Sequence, residues 1–250
     1  MRILLILAAL IALVWAGASQ VPLGFALRQL PMNAMGVQWT QSEGTVWNGR
    51  IMGVYLNGQP VGDIDVSLRP LSLITMRPEV AFQWGGAGGR GAGTLAMSDD
   101  IIEANDLRIE QRISALESLS PEVRAIGGVF RLTQGAVRIE GLRCTSATGR
   151  LSSNTLSIAA ERFGREFSEL SGSLDCEDGA FNIQMNGSGP TGDTIAIVAD
   201  ATLYGRSEIE VVANTNDNEI ETLLANAGFS RRNGVWTYTR ETSAIGQGAQ

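Results

Sequence analysis

The stretch VGDIDVSL at residues 61–68 decides the fold class, because apolar and polar side chains alternate along it. In an extended chain, Ile64 and Val66 fall on one face, and Asp63 and Asp65 fall on the other. This period of two is typical of a β-strand that buries one face and exposes the other to water, as strands of antiparallel sheets do. We therefore predict a half-buried antiparallel strand over these residues.

The same alternation recurs along most of the chain and predicts many further strands. They are predicted at residues 80–84, 107–109, 130–132, 137–139, 156–158, 181–185, 195–197 and 209–211. Turn-forming pairs such as Asn186-Gly187 and Asn233-Gly234 separate them. The spacing of about ten residues predicts a mostly β domain, built either from antiparallel sheets or as a β-sandwich.

Two segments interrupt this pattern with helix signals. Residues 113–119 carry an apolar side chain at every third position, and Pro121 is expected to stop that helix after one or two turns. Residues 218–227 present an amphipathic face, and Gly228 supplies a C-terminal stop. We expect both helices to be short connections between strands.

The N-terminus carries the strongest apolar segment of the chain. Arg2 and Arg28 enclose an uncharged stretch, residues 3–27, which exceeds the roughly 20 residues needed to cross a bilayer and so predicts one transmembrane helix. Ala16-Gly17-Ala18 has the form of a signal-peptidase site, so a cleaved signal peptide is the alternative. Either interpretation places the rest of the chain outside the cytoplasm.

The remaining chain has the length of one large β domain or two small ones. We assign residues 1–27 to the membrane anchor or signal peptide, and residues 28–240 to a β-rich domain. If that domain has two halves, they divide near residues 119–128. Residues 241–250, rich in Gly, Gln and Ala, are expected to form a mobile tail.

Composition excludes several classes of function. The formal net charge of −7 argues against binding of nucleic acid. The chain has no histidine and its nineteen basic residues are all arginine, which excludes catalytic triads, histidine metal sites and lysine Schiff bases. The carboxylate pairs Asp63–Asp65 and Asp99–Asp100 are typical of solvated strands and turns. We predict no enzyme activity, no catalytic, metal-binding or cofactor-binding residue, and no cofactor.

The chain contains two cysteines, Cys144 and Cys176. Outside the cytoplasm, an even pair of cysteines normally closes as a disulfide. A two-cysteine metal site without histidine is the weaker alternative. We therefore predict a Cys144–Cys176 disulfide, which agrees with the export signal at the N-terminus.

A glycine-rich run, GGAGGRGAG at residues 85–93, contains the pattern G-x-G-x-x-G. In dinucleotide-binding proteins, this pattern joins a strand to the helix whose N-terminus holds the pyrophosphate. Here the residues that follow, 93–97, have a strand pattern instead of a helix pattern. We predict a hairpin that joins them to residues 80–84.

The segment EGTVWNGR at residues 43–50 predicts a strand after Gly44, an aromatic core residue at Trp47 and a turn or bulge at Asn48-Gly49. Its spacing resembles the G-[TS]-[VL]-W-x-G signature of the type II secretion system protein N family. The segment VSLRPLSL at residues 66–73 is similar to a Pro-Leu region that follows in that family. Residues 223–238, which include Trp236, are similar to its ending of a short helix and an aromatic strand.

This resemblance, which spans most of the chain, implies a single-pass protein of the Gram-negative inner membrane with its β-rich domain in the periplasm. It favours the anchor over the cleaved signal peptide. It also implies a non-enzymatic component of the type II secretion apparatus, which supports export of folded proteins across the outer membrane. The implied partners are the inner-membrane platform or the outer-membrane secretin. Gly44, Trp47, Gly49 and Trp236 are the candidate interaction or structural residues.

The alternative function is that of an envelope lipid-binding or lipid-transfer protein. Such proteins also combine one anchor with a twisted antiparallel sheet whose inner face is apolar. Large side chains such as Phe82, Phe130 and Phe181 would either fill a packed core or line an open groove. The sequence leaves both arrangements open, so a lipid stays on the list of expected ligands.

Overall fold

A computed structural model describes residues 19–29, 36–56, 58–73, 77–86, 88–98, 100–116, 121–203 and 205–242. Residues 1–18 of the predicted anchor and residues 243–250 of the predicted tail lie outside these ranges. Within the ranges, no helix combines the length and the apolar content that crossing a membrane requires.

Short strands joined by hairpins dominate the described chain. The strands are β1 (Val37–Gln38), β2 (Gln41–Thr45), β3 (Asn48–Leu56), β4 (Gln59–Leu68), β5 (Glu79–Gly86), β6 (Gly89–Ser98), β7 (Ile101–Arg112), β8 (Val129–Glu140), β9 (Arg143–Ser153), β10 (Leu170–Glu177), β11 (Ala180–Ser188), β12 (Thr194–Ala201), β13 (Ser207–Asn214), β14 (Ser230–Arg232) and β15 (Val235–Thr242). The α-helices are α1 (Leu23–Gln29), α2 (Pro121–Ile126), α3 (Thr155–Arg162) and α4 (Asn218–Asn226). Single 3₁₀ turns occur at Pro70–Leu73 and Ile113–Ala115.

The chain forms two compact units, Met1–Ser98 and Asp99–Gln250. The boundary precedes residues 119–128, where the sequence suggested a division into halves. The reason is that β7, before those residues, pairs with β8, after them. Residues 121–128 therefore belong to the second unit.

The first unit is an antiparallel sheet with a helix against it. Its strand order is β1-β3-β4-β5-β6, and β2 pairs with β3. Leu23 and Leu27, one turn apart on α1, are buried together with Ile51 and Val54 of β3. Residues 23–27 thus pack on this sheet, although the sequence placed them at the end of the membrane segment. Their spacing of four places both leucines on the face of α1 that meets the sheet, whereas Phe25 lies on another side of the helix and is exposed.

The second unit is an antiparallel sheet in the order β7-β8-β9-β10-β11-β12-β13-β15-β14. One face carries apolar rows that run across the strands. The central row is Ile109, Leu132, Leu151, Gly172, Met185, Ile197, Val211 and Tyr238. The opposite face is polar; for example, Asn182 donates a hydrogen bond of 2.8 Å to Asp200 on the neighbouring strand. The alternation seen in the sequence therefore places a continuous apolar surface on one side of the sheet.

Each unit builds its strands into one sheet, so the antiparallel-sheet prediction is confirmed and the sandwich alternative is wrong. The glycine-rich hairpin is also confirmed, because β5 pairs with β6 and Trp84 lies opposite Gly91. A Cβ on Gly91 would lie 2.1 Å from Trp84 Nε1, so glycine is needed there to admit the indole ring. The run therefore serves packing between strands.

The helix predictions have mixed outcomes. The helix predicted at 218–227 is α4, which Gly228 follows with a φ of +88°. Residues 113–119 give only the 3₁₀ turn Ile113–Ala115 within the described chain. Pro121 begins α2 instead of ending a helix, because the first helical position needs no N–H donor. The strand predicted at residues 156–158 is wrong, since these residues lie in α3.

Candidate functional site

The tryptophan-glycine element is a tight hairpin in the first unit. Strands β2 and β3 pair with Gly44 opposite Gly49, and residues Val46 and Trp47 form the turn between them. The sequence predicted the turn at Asn48-Gly49, but the turn lies two residues earlier, and Asn48 and Gly49 belong to β3. Gly44 has a φ of +81°, and a Cβ there would lie 2.9 Å from the Cα of Gly49. The two glycines let the strands approach closely.

Gly49 also fixes the position of α1. A Cβ on Gly49 would lie 2.7 Å from Leu23 Cδ2 and 2.8 Å from the carbonyl oxygens of Glu43 and Thr45. Gly49 is buried, whereas Trp47 at the turn is half-buried. Leu23 of α1 therefore packs directly against Gly49 of the hairpin, and Trp47 is partly exposed.

The carboxylates of β4 belong to ion pairs on the sheet surface. Arg50 lies 3.1 Å from Asp63 and 3.8 Å from Asp65. The pKa of Asp63 is lowered by a hydrogen bond from the Gly53 N–H and by one from Arg50. A carboxyl held in its ionised form does not serve as a general acid.

Cys144 and Cys176 form a disulfide with a Cα–Cα distance of 5.7 Å. Cys144 lies on β9 and is buried, and Cys176 lies on β10. The backbone ladder between these strands joins Arg150–Ser153 to Leu170–Ser173, so the disulfide ties their other ends together. It is a structural cross-link of the second unit.

Trp236 lies on β15, the strand between β13 and β14. It is opposite Ala213 on β13 and Arg231 on β14, and the Arg231 guanidinium lies 5.8 Å from the centre of its ring. Arg231 also pairs with Glu221 of α4 at 2.8 Å. Trp236 Nε1 is buried with no hydrogen-bond partner among the described residues. Trp236 therefore packs where α4 joins the edge of the sheet.

An apolar groove of about 1010 Å³ opens in the second unit, between α3 and α4. The ends of β12 and β13 contribute Ile195 and Ala213 to it. The helices and the residue after α3 contribute apolar side chains at helical spacing, namely Leu156, Ala159 and Ala160 from α3, Phe163 directly after it, and Ile220, Leu223 and Leu224 from α4. Most of the lining surface is apolar. This groove is the candidate functional site.

A salt bridge secures the α4 side of the groove. Asp217 caps α4 by accepting hydrogen bonds from the Glu219 N–H at 2.8 Å and the Ile220 N–H at 3.3 Å. Arg165, just beyond α3, donates to Asp217 and to Glu219. The Arg165 hydrogen bond, followed by the two backbone N–H groups, lowers the pKa of Asp217, and the same two carboxylates raise the pKa of Arg165. The positive charge of Arg165 is thus already matched by two carboxylates.

A second carboxylate, Asp193, is buried in the groove wall, with 9% of its surface exposed. Its Oδ1 accepts a hydrogen bond of 2.6 Å from Thr215, and its Oδ2 accepts one from Thr191. In the described part of the chain, no arginine lies within ion-pair distance of Asp193. Within the same ranges, no group of three or more Cys, Asp or Glu side chains is arranged to hold a metal ion.

A family described as "Type II secretion system (T2SS), protein N" matches residues 35–238. The chain belongs to this family. The match includes the tryptophan-glycine hairpin, the disulfide, the groove and the first half of β15. No curated protein and no solved structure matches the chain significantly. Membership makes this protein a component of the type II secretion system.

The sequence predicted the cysteine pair and the closing strand, but it did not predict the groove. It also predicted a strand and a core tryptophan where the structure has the Val46-Trp47 turn. None of the residues singled out from the sequence (Gly44, Trp47, Gly49, Cys144, Cys176 and Trp236) lines the groove. One signal was present: Leu156, Ala159, Ala160 and Phe163 have the i, i+3, i+4, i+7 spacing of an amphipathic helix. The alternation of Leu156 with Ile158 also fits a strand, and a strand was predicted there in place of the helix.

Proposed function

We propose that this protein is a non-enzymatic interaction module, anchored in the inner membrane by its N-terminal segment, with both units in the periplasm. The observation that carries the proposal is the family match over residues 35–238. The uncharged residues that precede α1, residues 3–22, support the anchor, and the disulfide supports an oxidising compartment. The expected partners are the inner-membrane platform or the outer-membrane secretin.

Deletion and complementation test this function. Removing the gene from its host should reduce export of a folded type II substrate into the medium, and the wild-type chain should restore it. Purification of the tagged chain from mild-detergent membranes should recover platform components or the secretin. Normal export after deletion, with neither partner recovered, would refute the proposal.

Two measurements test the predicted location. An alkaline phosphatase fused after Thr242 should be active, because that enzyme requires the periplasm for its disulfides. Mass spectrometry of the membrane-extracted chain should find an intact N-terminus. An inactive fusion would contradict the periplasmic location, and a chain beginning after Ala18 would show cleavage in place of anchoring.

The second candidate is a lipid-binding protein, which the apolar lining of the groove favours. Phe163 and Leu223 line it and are 61% and 43% exposed, so apolar surface is available to an acyl chain. Lipid analysis of the same purified material separates the candidates. Stoichiometric lipid without secretion components would support the lipid carrier, and the reverse would support the interaction module.

A further inference from the structure

The groove between α3 and α4 leaves large apolar side chains accessible. Phe163 on the α3 side and Leu223 on the α4 side are substantially exposed, while Ala213 at the sheet end is buried. The volume of about 1010 Å³ is at the upper end of ligand pockets, which are about 300–1,000 Å³. Large apolar groups around a concave site favour an apolar ligand that spans several side chains.

The charged residues of the groove indicate which charge an apolar ligand should carry. Its ionisable lining residues are one arginine, Arg165, and three carboxylates, Glu166, Asp193 and Glu219. Arg165 is matched by Glu219 and by Asp217 outside the lining, so it does not offset the remaining carboxylates. An anionic lipid headgroup would meet repulsion here, whereas a cationic side chain would be attracted.

Asp193 is the carboxylate at which a cationic side chain of a ligand would bind in the groove. A carboxylate has about four acceptor sites, and among the residues that the structure describes the side-chain donors to Asp193 are two hydroxyls, from Thr191 and Thr215. Burying a carboxylate without a cation costs free energy of folding. A partner that supplies the cation therefore gains more binding free energy here than it would at an exposed carboxylate. The two threonine hydroxyls hold the carboxylate in the groove wall.

We propose that the groove binds an apolar peptide segment of a partner protein, with a lysine or arginine side chain that pairs with Asp193. The apolar side chains of the segment lie between Phe163 and Leu223, and Glu166 adds to the negative potential. The inference rests on the proposed function as an interaction module, and it names the surface and the chemistry of the partner.

Fluorescence anisotropy with short synthetic peptides tests the proposal on the full-length chain in nanodiscs. The probe is a labelled peptide of leucine, alanine and serine with one central arginine, and the matched probes carry glutamine or glutamate there. We expect the arginine peptide to bind about tenfold more tightly than the glutamine peptide, as for a hydrogen-bonded charge pair. The glutamate peptide should bind most weakly. Equal affinities for the three peptides would overturn the proposal.

Variants locate the site. Asp193→Asn keeps an acceptor for one threonine hydroxyl, and the other hydroxyl can accept from the new amide N–H. The variant should weaken the arginine peptide about tenfold while leaving the glutamine peptide unchanged. Leu223→Gln should weaken all three peptides, and Leu71→Gln, at an exposed leucine outside the groove, should weaken none. If Asp193→Asn fails to fold, Glu166→Gln at the exposed rim should give a smaller, salt-sensitive loss for the arginine peptide. Unchanged binding in Leu223→Gln would refute the site.

A fluorescent fatty acid provides the competing ligand. Saturable fatty-acid binding that Leu223→Gln abolishes, without binding of any peptide, would overturn the peptide proposal in favour of a lipid. Export assays separate this inference from the proposed function. If the wild-type chain restores export but binds no peptide, the peptide-binding proposal is refuted and the proposed secretion function stands. If the chain binds the arginine peptide but its deletion leaves export normal, the secretion function is refuted and peptide binding stands.

Discussion

Removing the disulfide should lower the stability of the second unit by an amount that follows from its place in the chain. Cys144 and Cys176 are 32 positions apart, so the cross-link constrains the unfolded chain by about 3–4 kcal/mol in the chain-entropy model. The folded state should change little, because the Cys144 N–H donates to the Gly179 carbonyl at 3.0 Å and Arg143 donates to the Asp178 carbonyl at 3.1 Å. We expect the double variant Cys144→Ala/Cys176→Ala to keep its fold.

Hydrogen exchange measures this difference within one unit. Peptides from β9, β10 and β11 should exchange two to three orders of magnitude faster in the double variant, since about 1.4 kcal/mol corresponds to a factor of ten. Peptides from β5 and β6, in the other unit, serve as the internal control and should be unchanged. The single variant Cys144→Ser should in addition leave one thiol that reacts with maleimide.

Two results would refute the reasoning. A change below about 1 kcal/mol in the opening free energy of β9 to β11 would show that the cross-link hardly restricts the unfolded chain. Reaction of both cysteines with maleimide in the folded, exported wild-type protein would show that no disulfide forms. Equal acceleration in β5 and β6 would instead indicate a general loss of folding.

Three further predictions concern packing and charge. Gly49→Ala should destabilise the first unit by about 1–3 kcal/mol in urea denaturation, because its Cβ would strike backbone atoms; Gly85→Ala, where an added Cβ meets no atom within 4 Å, should have little effect, and equal effects would contradict the close approach. Asp217→Asn should keep the helix cap but lose the charge that pairs with Arg165. Because the folded pKa of Asp217 is lowered, its stabilisation is present above the ordinary pKa of 3.8 and is lost as the pH falls below it. The stability gap between wild type and variant should therefore vanish in acid, and a constant gap would argue against the ion pair. Leu151→Ala, at a side chain only 4% exposed, should cost about 2–5 kcal/mol by thermal or urea unfolding, and a cost well under that range would show that the apolar row is not a packed core.

Local patterns predicted the parts of this fold that depend on neighbouring residues. Alternation at residues 61–68 is enough to predict β4, because a strand places successive side chains on opposite faces whatever it later pairs with. The amphipathic pattern before Gly228 likewise predicted α4. Short patterns failed where two structures share them: Leu156 and Ile158 fit a strand and a helix alike, and Pro121 can end one helix or begin another.

The sequence by itself determined the class of the protein: an antiparallel β chain with a disulfide, without histidine or lysine, and with the tryptophan-glycine element of its family. Only the tertiary structure decided where its groove lies and what charge surrounds it. Arg165 meets Asp217 across 52 positions, and Thr215 meets Asp193 across 22. Such contacts depend on how strands are ordered and where helices pack on them, and no periodicity within one segment encodes that order.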